Sequence, residues 1–380
     1  MLRRDFLLGI STAFAAAGAD NTTTRTLRTK VDGASAVELV GQDFPSQPMK
    51  SLGNGVFEAQ LELPPRINRY RYKLKVNNAL IADPQNPLVQ ADSERLTAGS
   101  ILWHPLDVHQ AWVDGKIRRG RLERLRVRCS YPTPHDRNVW VHIPAGYERS
   151  TKGLPALYLF HAGGGSGLNY ASGEVAPDLC DTLISLGKAR PFVTIMPDLD
   201  PPVGLLPPNP YEMRVDANKW VGELHNRVRK SAEALKTEII PAVENKYGLK
   251  ASWDARAMYG NSGGGYHTLI LEADHDGPYA KVLSASAMYN PLLTNYFFAA
   301  IDKRPKATPR PQIIAAAGDN DPISAAVAAQ KLGNVDEHCR NFSAMAKERN
   351  MLHRMIIHHY GHSGGPEVIA ETILAAYGKP

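Results

Sequence analysis

The sequence predicts a small all-β sandwich followed by an α/β domain with a mostly parallel sheet and helices on both faces. Before residue 112, runs such as Gly55–Leu63 and Tyr70–Val76 alternate apolar and polar residues between turn residues, which is typical of half-buried strands. Beyond residue 112, apolar strand runs alternate with helical segments, as a covered parallel sheet requires. The length of 380 residues also favours two domains over one.

The elements of the second part follow from short apolar runs and longer amphipathic segments. Residues 122–144 predict two antiparallel edge strands. Further strands are predicted near residues 156–161, 192–197, 256–260, 281–288, 311–317 and 353–360. Helices are predicted near residues 173–187, 219–247, 264–273, 323–348 and 366–377. We see no internal repeat.

The first nineteen residues predict a secretory signal of the twin-arginine type. Arg3 and Arg4 precede an apolar, alanine-rich stretch that ends in small residues at Ala17-Gly18-Ala19. The stretch is too short to span a membrane. We therefore expect a signal over residues 1–19, a sandwich domain over 20–112 and a catalytic domain over 113–380. The product would be periplasmic or secreted, with no stable membrane span after cleavage.

Two segments read Gly-x-Ser-x-Gly, at Ser262 and at Ser363, and each lies between a predicted strand and a predicted helix. This is the context of a nucleophile elbow. In α/β-hydrolases the acid and the histidine follow the serine along the chain. No histidine follows Ser363, whereas several acids and His362 follow Ser262. Ser262 is therefore the predicted nucleophile, and His362 the predicted general base.

The oxyanion donors are predicted at two glycine-rich loops. Gly263 begins a helix directly after the serine, where its N–H has no partner within the helix. The buried run from Leu157 ends in His161-Ala162-Gly163-Gly164-Gly165, the loop from which hydrolases draw the second donor. We favour Gly163, with Ala162 or Gly164 as alternatives. Substrate contacts are expected from His161, Asn261 and Tyr266 beside these loops, and from Pro201 in the proline-rich stretch after the strand near residues 192–197.

The triad acid is predicted in the loop after the strand near residues 311–317. Both Asp319 and Asp321 lie there. We favour Asp321, which lies three residues past Gly318. The side chain of Asp319 is instead placed to hydrogen-bond its own backbone and so stabilise the turn.

No metal and no cofactor are predicted. His353, His358, His359 and His362 are close in sequence, but neighbouring residues on a strand point to opposite faces, so His358 and His359 do not easily share one ion.

The proline-rich stretch Asp198–Met213 allows two interpretations. It follows a central strand, on the side where hydrolases bind substrate, so it either forms a pocket wall or serves as a stiff surface connection.

Several of these segments resemble the esterase D-like branch of the α/β-hydrolases, which includes feruloyl, acetyl xylan and enterochelin esterases. The resemblance is carried by Tyr147, Pro155–His161, Glu238–Tyr247 and Arg256–Gly265. It implies Ser262, Asp321 and His362 as the triad and Gly163 and Gly263 as the oxyanion donors. Ala162 departs from the family, which usually has glycine after the loop histidine.

The N-terminal part resembles the immunoglobulin-like, carbohydrate-binding-module-48-like domain that precedes many secreted esterases, including Ala82–Pro87 near its end. Such a domain either binds glycan or only shields and extends the catalytic cleft.

Charge and cysteine content add little to this assignment. The net charge of +6 is modest for this length, and we expect no nucleic-acid partner. The arginines of Arg118–Arg128 partly alternate, which favours a solvated strand face, with an anionic glycan or lipid surface as the alternative. Three cysteines, at 129, 180 and 339, leave at least one without an intramolecular partner.

The sequence therefore predicts a serine carboxylic ester hydrolase whose substrate is an acylated polysaccharide or oligosaccharide. Hydroxycinnamate or acetate esters of plant cell walls come first, since export and the N-terminal domain favour them. The alternatives are hydrolysis of a siderophore trilactone, acyl transfer to a sugar or lipid, and glycan binding without catalysis. The complete catalytic set disfavours the last.

Overall fold

The computed structural model describes most of the chain beyond the predicted signal segment. The described residues are 23–41, 44–63, 69–86, 89–92, 97–103, 117–163, 165–173, 176–199, 217–274, 279–287, 289–318, 321, 334–358, 362 and 365–379.

The N-terminal part consists of two antiparallel sheets. Their strands are β1 Thr23–Lys30, β2 Val37–Gly41, β3 Gln47–Pro48, β4 Lys50–Gly53, β5 Val56–Leu63, β6 Arg69–Val76, β7 Ala79–Ile81, β8 Val89–Asp92 and β9 Thr97–Trp103. One sheet has the order β1-β5-β4 and the other β3-β2-β6-β9-β8, with β7 also paired to β6. Leu61 of β5 and Tyr72 and Leu74 of β6 are fully buried in one shared core. The alternation in the two sequence runs therefore does mark strands.

Asp83 is the centre of a buried hydrogen-bond network in this N-terminal part. Its carboxylate is buried and accepts hydrogen bonds from the hydroxyls of Thr29 and Tyr72 and from the Gln85 N–H. The Asp83 N–H donates to Ser100 Oγ at 2.7 Å. Burial, together with the Asp83 charge, raises the pKa of Tyr72 well above its usual value, so Tyr72 stays a hydrogen-bond donor.

The C-terminal part is built on an eight-stranded sheet. The strands are β10 Arg121–Cys129, β11 His135–Ile143, β12 Ala156–Phe160, β13 Val193–Pro197, β14 Arg256–Asn261, β15 Lys281–Ala285, β16 Gln312–Gly318 and β17 Leu352–His358. Their order is β10-β11-β13-β12-β14-β15-β16-β17, and all neighbours from β13 to β17 are parallel. The predicted strand positions are confirmed. Only β10 of the antiparallel pair lies at the edge, since β11 also pairs with β13.

The helices cover both faces of this sheet. They are α1 Ala176–Ser185, α2 Ala217–Ala234, α3 Ile240–Tyr247, α4 Gly263–Ala273, α5 Pro291–Lys303, α6 Val335–Glu348 and α7 Gly365–Tyr377. A π-helical turn, Leu235–Ile239, joins α2 to α3. Within the described residues, no helix has the length and apolar content needed to cross a bilayer.

Helix α5 was not predicted from the sequence, although its start carries a clear signal. Asn290 caps the helix by accepting a 3.0 Å hydrogen bond from the Leu293 N–H, and Pro291 occupies the first helical position. Both are common helix-start residues.

Side chains of β12 show how the sheet divides the core. Tyr158 and Phe160 pack into a cluster with residues of α2 to α6, whereas Leu157 and Leu159 pack into a second cluster with residues of α1 and α7. All five residues of the strand are buried. A run of consecutive apolar residues is what a strand covered on both faces requires.

A buried ion pair connects Glu272, near the end of α4, to Arg304, directly after α5. Glu272 Oε1 accepts a 2.8 Å hydrogen bond from the Arg304 guanidinium, and their side chains are 0% and 3% exposed. Burial raises the pKa of Glu272, and Arg304 opposes that rise. The carboxylate therefore depends on Arg304 for its charged state.

Replacing Arg304 with alanine is expected to lower the free energy of unfolding by about 3–5 kcal/mol, because an uncompensated buried carboxyl remains. Urea titrations followed by tryptophan fluorescence measure the change. Burial raises the pKa of Glu272 to about 8 even beside Arg304, so parent and variant both keep this proton at pH 5 to 7 and the deficit should be the same there. Above pH 8 the deficit should grow, because Glu272 ionises in the parent, whereas without Arg304 it keeps its proton to higher pH.

Arg354→Ala provides the matched control. Arg354 forms a 2.7 Å pair with Glu371 at the surface, where its side chain is 49% exposed. Its loss should cost no more than about 1 kcal/mol. Equal losses in the two variants would contradict a special role for the buried pair.

Candidate active site

The turn after β14 holds Ser262 in a strained conformation. Ser262 has φ 55° and ψ −120°, between the end of β14 and the first residue of α4. Its N–H donates to the Ala285 carbonyl at 2.8 Å, which extends the ladder between β14 and β15. Such φ values are rare for residues other than glycine and occur at sharp strand-to-helix turns of catalytic serines.

Two glycines permit the tight turn. A Cβ atom at Gly260 would lie 2.2 Å from the Gly264 carbonyl oxygen, and one at Gly264 would lie 1.9 Å from the Phe160 carbonyl oxygen. Both separations are far below van der Waals contact. Only glycine allows α4 to begin this close to the ends of β12 and β14.

The two predicted oxyanion loops lie against each other. A Cβ atom built on Gly263 would be 3.1 Å from the Gly163 nitrogen. Gly263 is half-buried and Gly163 is exposed. Gly263 is also the first residue of α4, so its N–H has no partner within the helix. The two loops thus lie together, and the oxyanion role of this pair stays a prediction. Gly164 lies outside the described residues.

His161 is buried, with 2% exposure, and its ring binds backbone on both sides. Nδ1 lies 2.7 Å from the Ala162 carbonyl oxygen, so it carries the proton, and Nε2 accepts a 2.8 Å hydrogen bond from the Leu199 N–H. Neither nitrogen is left for a ligand. His161 is therefore placed to hold the loop that carries Gly163, rather than to bind substrate as predicted.

Leu199, at the end of the described part of the chain after β13, is held from its other side as well. Its carbonyl accepts hydrogen bonds from Arg137 at 2.8 Å and from Ser231 Oγ at 3.0 Å. Sequence reasoning missed Arg137. Its signal was its register on β11, where it shares the buried face with Val139 and Val141.

His362 and Asp321 form a hydrogen-bonded pair. His362 Nδ1 lies 2.7 Å from Asp321 Oδ2, with the Asp321 side chain fully buried and that of His362 18% exposed. Among the described residues, His362 Nε2 has no hydrogen-bond partner. Asp321 follows β16 and His362 follows β17, so both lie at the edge of the sheet where Ser262 follows β14. The alternative acid, Asp319, lies outside the described residues.

The remaining predicted contacts differ in outcome. Asn261 is buried beside the serine, and its Oδ1 has no hydrogen-bond partner among the described residues. Tyr266 is fully buried in the core, with its hydroxyl 3.0 Å from His225 Nδ1. Tyr266 therefore packs against the interior, which corrects its assignment to substrate. Pro201 lies outside the described residues.

The described histidines near the C-terminus, His353, His358 and His362, do not form part of a metal-ligand cluster within the described residues. There, no group of three or more histidine, cysteine, aspartate or glutamate residues converges as metal ligands would. Cys129, Cys180 and Cys339 are all buried and free.

The sequence and the fold match known proteins. The model of the Esterase family matches residues 130–361. A curated endo-1,4-beta-xylanase/feruloyl esterase of Xylanibacter ruminicola is 30% identical over 135 residues, which is 34% of this chain and 17% of that protein. The chain thus spans less than a fifth of that relative's length.

Solved structures with a similar fold include two kinds of esterase. The enterobactin esterase of Shigella flexneri, in the presence of 2,3-di-hydroxy-N-benzoyl-serine, superposes with a TM-score of 0.59 at 16% identity over 94% of each chain. A ferulic acid esterase superposes with a TM-score of 0.51 at 17% identity, over 68% of this chain and 98% of that one.

The family match covers more than half of the chain and spans the Ser262 turn, β16 and β17. The eight-stranded sheet with helices on both faces agrees with it. On this evidence the chain is a member of the Esterase family of α/β-hydrolases.

Proposed function

We propose that this protein is a serine carboxylic ester hydrolase with Ser262 as nucleophile, His362 as general base and Asp321 as the orienting acid. The observation that carries the proposal is the 2.7 Å pair of His362 Nδ1 and Asp321 Oδ2 at the sheet edge where the strained Ser262 turn lies.

The hydrogen bond to Asp321 sets the tautomer of His362. With the proton on Nδ1, the Nε2 lone pair is available to accept the proton of the Ser262 hydroxyl. Ser262 Oγ then attacks the ester carbonyl and forms a C–O bond, while His362 holds the proton. The imidazolium, stabilised by Asp321, passes that proton to the leaving alcohol. Water then attacks the acyl carbonyl while His362 takes its proton. The bond to Ser262 Oγ breaks, His362 returns the proton to Oγ, and the acyl group leaves as a carboxylic acid.

The negative charge on the carbonyl oxygen needs donors that are already in place. The N–H groups of Gly163 and Gly263, brought together by the contact of their loops, are the proposed donors. Preorganised backbone donors of this kind account for about 3–4 kcal/mol each of transition-state stabilisation.

The proposed substrate is a feruloyl or acetyl ester of plant cell-wall polysaccharide. The curated relative with 30% identity bears the name of a xylanase and feruloyl esterase. A ferulic acid esterase structure also shares a fold with 68% of this chain.

One observation favours a second substrate, a siderophore trilactone. The enterobactin esterase structures cover 94% of this chain, including its N-terminal sheets, whereas the ferulic acid esterase covers 68%. The trilactone would use the same catalytic residues.

A substrate panel separates these proposals. Initial rates with methyl ferulate, an acetylated xylan and a ferric trilactone siderophore should be compared, with Ser262→Ala as control. Preference for ferulate or xylan would support the cell-wall esterase, and preference for the trilactone would assign the enzyme to iron acquisition. Turnover only with an added sugar or lipid alcohol would instead indicate an acyltransferase.

We also propose that residues 1–19 direct export to the periplasm or beyond, and that residues 20–112 and 113–380 are separate domains, the first immunoglobulin-like. Sequencing the N-terminus of the mature protein from a fractionated host tests the first point. Limited proteolysis tests the second, since cleavage should concentrate near residue 112.

His161→Leu is expected to lower kcat about 10- to 100-fold with little change in KM, because the oxyanion loop loses its fixed position. His161→Gln retains a side-chain acceptor for the Leu199 N–H and should recover part of the rate. Steady-state kinetics on methyl ferulate measures both. Full activity of the leucine variant would show that the loop does not depend on this histidine.

A further inference from the structure

A second concave site lies at the opposite end of β12 from Ser262. The cleft has a volume of about 850 Å³ and is formed by the loop before β12 and the end of α3. Ser262 lies beyond the other end of the sheet's parallel strands, at their carboxyl edge. The volume falls within the range of small-molecule sites, and the cleft is open to solvent.

The two walls of the cleft are joined by backbone hydrogen bonds. The Gly153 N–H donates to the Gly248 carbonyl at 2.8 Å, and the Thr151 hydroxyl donates to the Tyr247 carbonyl. Gly248 has φ 60° and ends α3. The cleft is therefore held in shape before any ligand arrives, which reduces the entropy lost on binding.

The acidic residues of the cleft already have partners. Glu244 accepts two hydrogen bonds from Arg256, at 2.6 and 2.7 Å. Glu123 pairs with Arg121 at 2.8 Å. The third acid, Glu148, pairs with an arginine just outside the lining, Arg118, at 3.1 Å.

Three cations of the lining remain. Arg149, Lys152 and Lys246 are exposed and have no carboxylate partner among the described residues. Lys246 Nζ lies 5.5 Å from the centre of the Tyr247 ring. Lys152 lies against the Gly248 turn, 3.6 Å from the position a Cβ would take there. The cleft thus presents three positive charges to whatever enters it.

The end of α3 does not counteract this charge. The Glu244 carbonyl accepts a 3.0 Å hydrogen bond from the Leu249 N–H, and the Asn245 carbonyl accepts one from the Gly248 N–H. These carbonyls, which would otherwise repel an anion, are therefore occupied.

We propose that this cleft binds a carboxylate-bearing oligosaccharide, such as a chain of uronic acid residues. The three cations stand on both walls of the cleft, Arg149 and Lys152 in the loop before β12 and Lys246 in α3, which suits carboxylates repeated along a chain better than one compact anion. Hydroxyl, amide and tyrosine groups from Ser150, Asn245 and Tyr147 line the same space and suit sugar hydroxyls. An acidic peptide would need deeper apolar pockets for its side chains.

Binding here does not require the chemistry at Ser262, since the two sites lie at opposite edges of the sheet. The Ser262→Ala variant can therefore be used as the parent protein for binding measurements, and it prevents any turnover.

Isothermal titration with tetragalacturonate tests the proposal. Arg149→Gln, Lys152→Gln and Lys246→Gln together should weaken binding at least tenfold. Exchange of three exposed cations elsewhere, Lys306, Arg340 and Lys347, for glutamine makes the same charge change and should leave the affinity within twofold. In protein with Ser262 intact, hydrolysis of a small ester should be unaffected by either triple substitution.

Two further probes complete the test, one a neutral sugar and the other an acidic peptide. Xylotetraose lacks the carboxylates, and hexaglutamate carries carboxylates without the sugar, so both should bind at least tenfold more weakly than tetragalacturonate. Absence of tetragalacturonate binding, equal losses in the two triple variants, or equal affinity for either probe would overturn the proposal.

Discussion

Ser262→Ala is expected to lower kcat for ester hydrolysis by about a million-fold, because no other group replaces the attacking oxygen. The change removes only a hydroxyl from a half-buried side chain, so the fold should persist. Stopped or overnight assays with methyl ferulate measure the residual rate, and circular dichroism verifies the fold.

Ser363→Ala is the matched control. The same Gly-x-Ser-x-Gly pattern surrounds Ser363, yet no histidine follows it along the chain. We expect this variant to keep kcat within about tenfold of the parent, as its hydroxyl takes no part in the chemistry. A loss confined to Ser363→Ala would reverse the assignment of the two motifs.

Asp321→Asn is expected to lower kcat about ten-thousand-fold. The amide is nearly the same size as the carboxylate, but it does not hold His362 in the tautomer with the proton on Nδ1. It also removes the negative charge that stabilises the imidazolium. Rates should be measured across the whole pH range in which the parent is active, so that a shift of the pH optimum is not mistaken for a loss of activity.

Asp319→Asn distinguishes this acid from its neighbour. The two aspartates are two positions apart in the sequence, just after the last residue of β16, and only Asp321 is hydrogen-bonded to His362 among the described residues. We expect Asp319→Asn to retain at least a tenth of the parent kcat. Reversed outcomes would identify Asp319 as the functional acid.

The sequence was most informative where a residue's role follows from chain order and from turns. Ser262 was separated from Ser363 by the positions of the histidines alone, and the glycines around it predicted the tight turn that the structure contains. Asp321 was favoured by its spacing from Gly318. These signals lie in chain order and in short sequence motifs, so they can be interpreted without knowing how the side chains pack.

Predictions of which side chain faces the substrate were weaker, because they depend on packing. Tyr266 follows Ser262 by four residues, yet it points into the core since α4 is covered on all sides. A helix buried all round has no polar face in its sequence to show which way a residue points. His161 is predicted from the sequence to contact substrate, because the sequence does not show that its ring binds the backbone of Leu199, 38 residues away.

Arg137 shows the same limit for a charged residue. An arginine on a strand is usually solvated, and the neighbouring arginines of β10, among them Arg124, Arg126 and Arg128, are indeed exposed. Arg137 is 1% exposed because backbone carbonyls of other segments, including that of Leu199, surround its guanidinium. Such partners are invisible in a single sequence.

The complete burial of α4 also bears on how the enzyme would lose activity. Every residue from Gly264 to Ala273 is buried, so the amides of this helix should exchange with solvent only through global opening of the domain. The Ser262 turn is the first part of that same unit. Heat or denaturant would then inactivate the catalytic centre together with the whole domain, and no partly unfolded, partly active form would be populated before global unfolding.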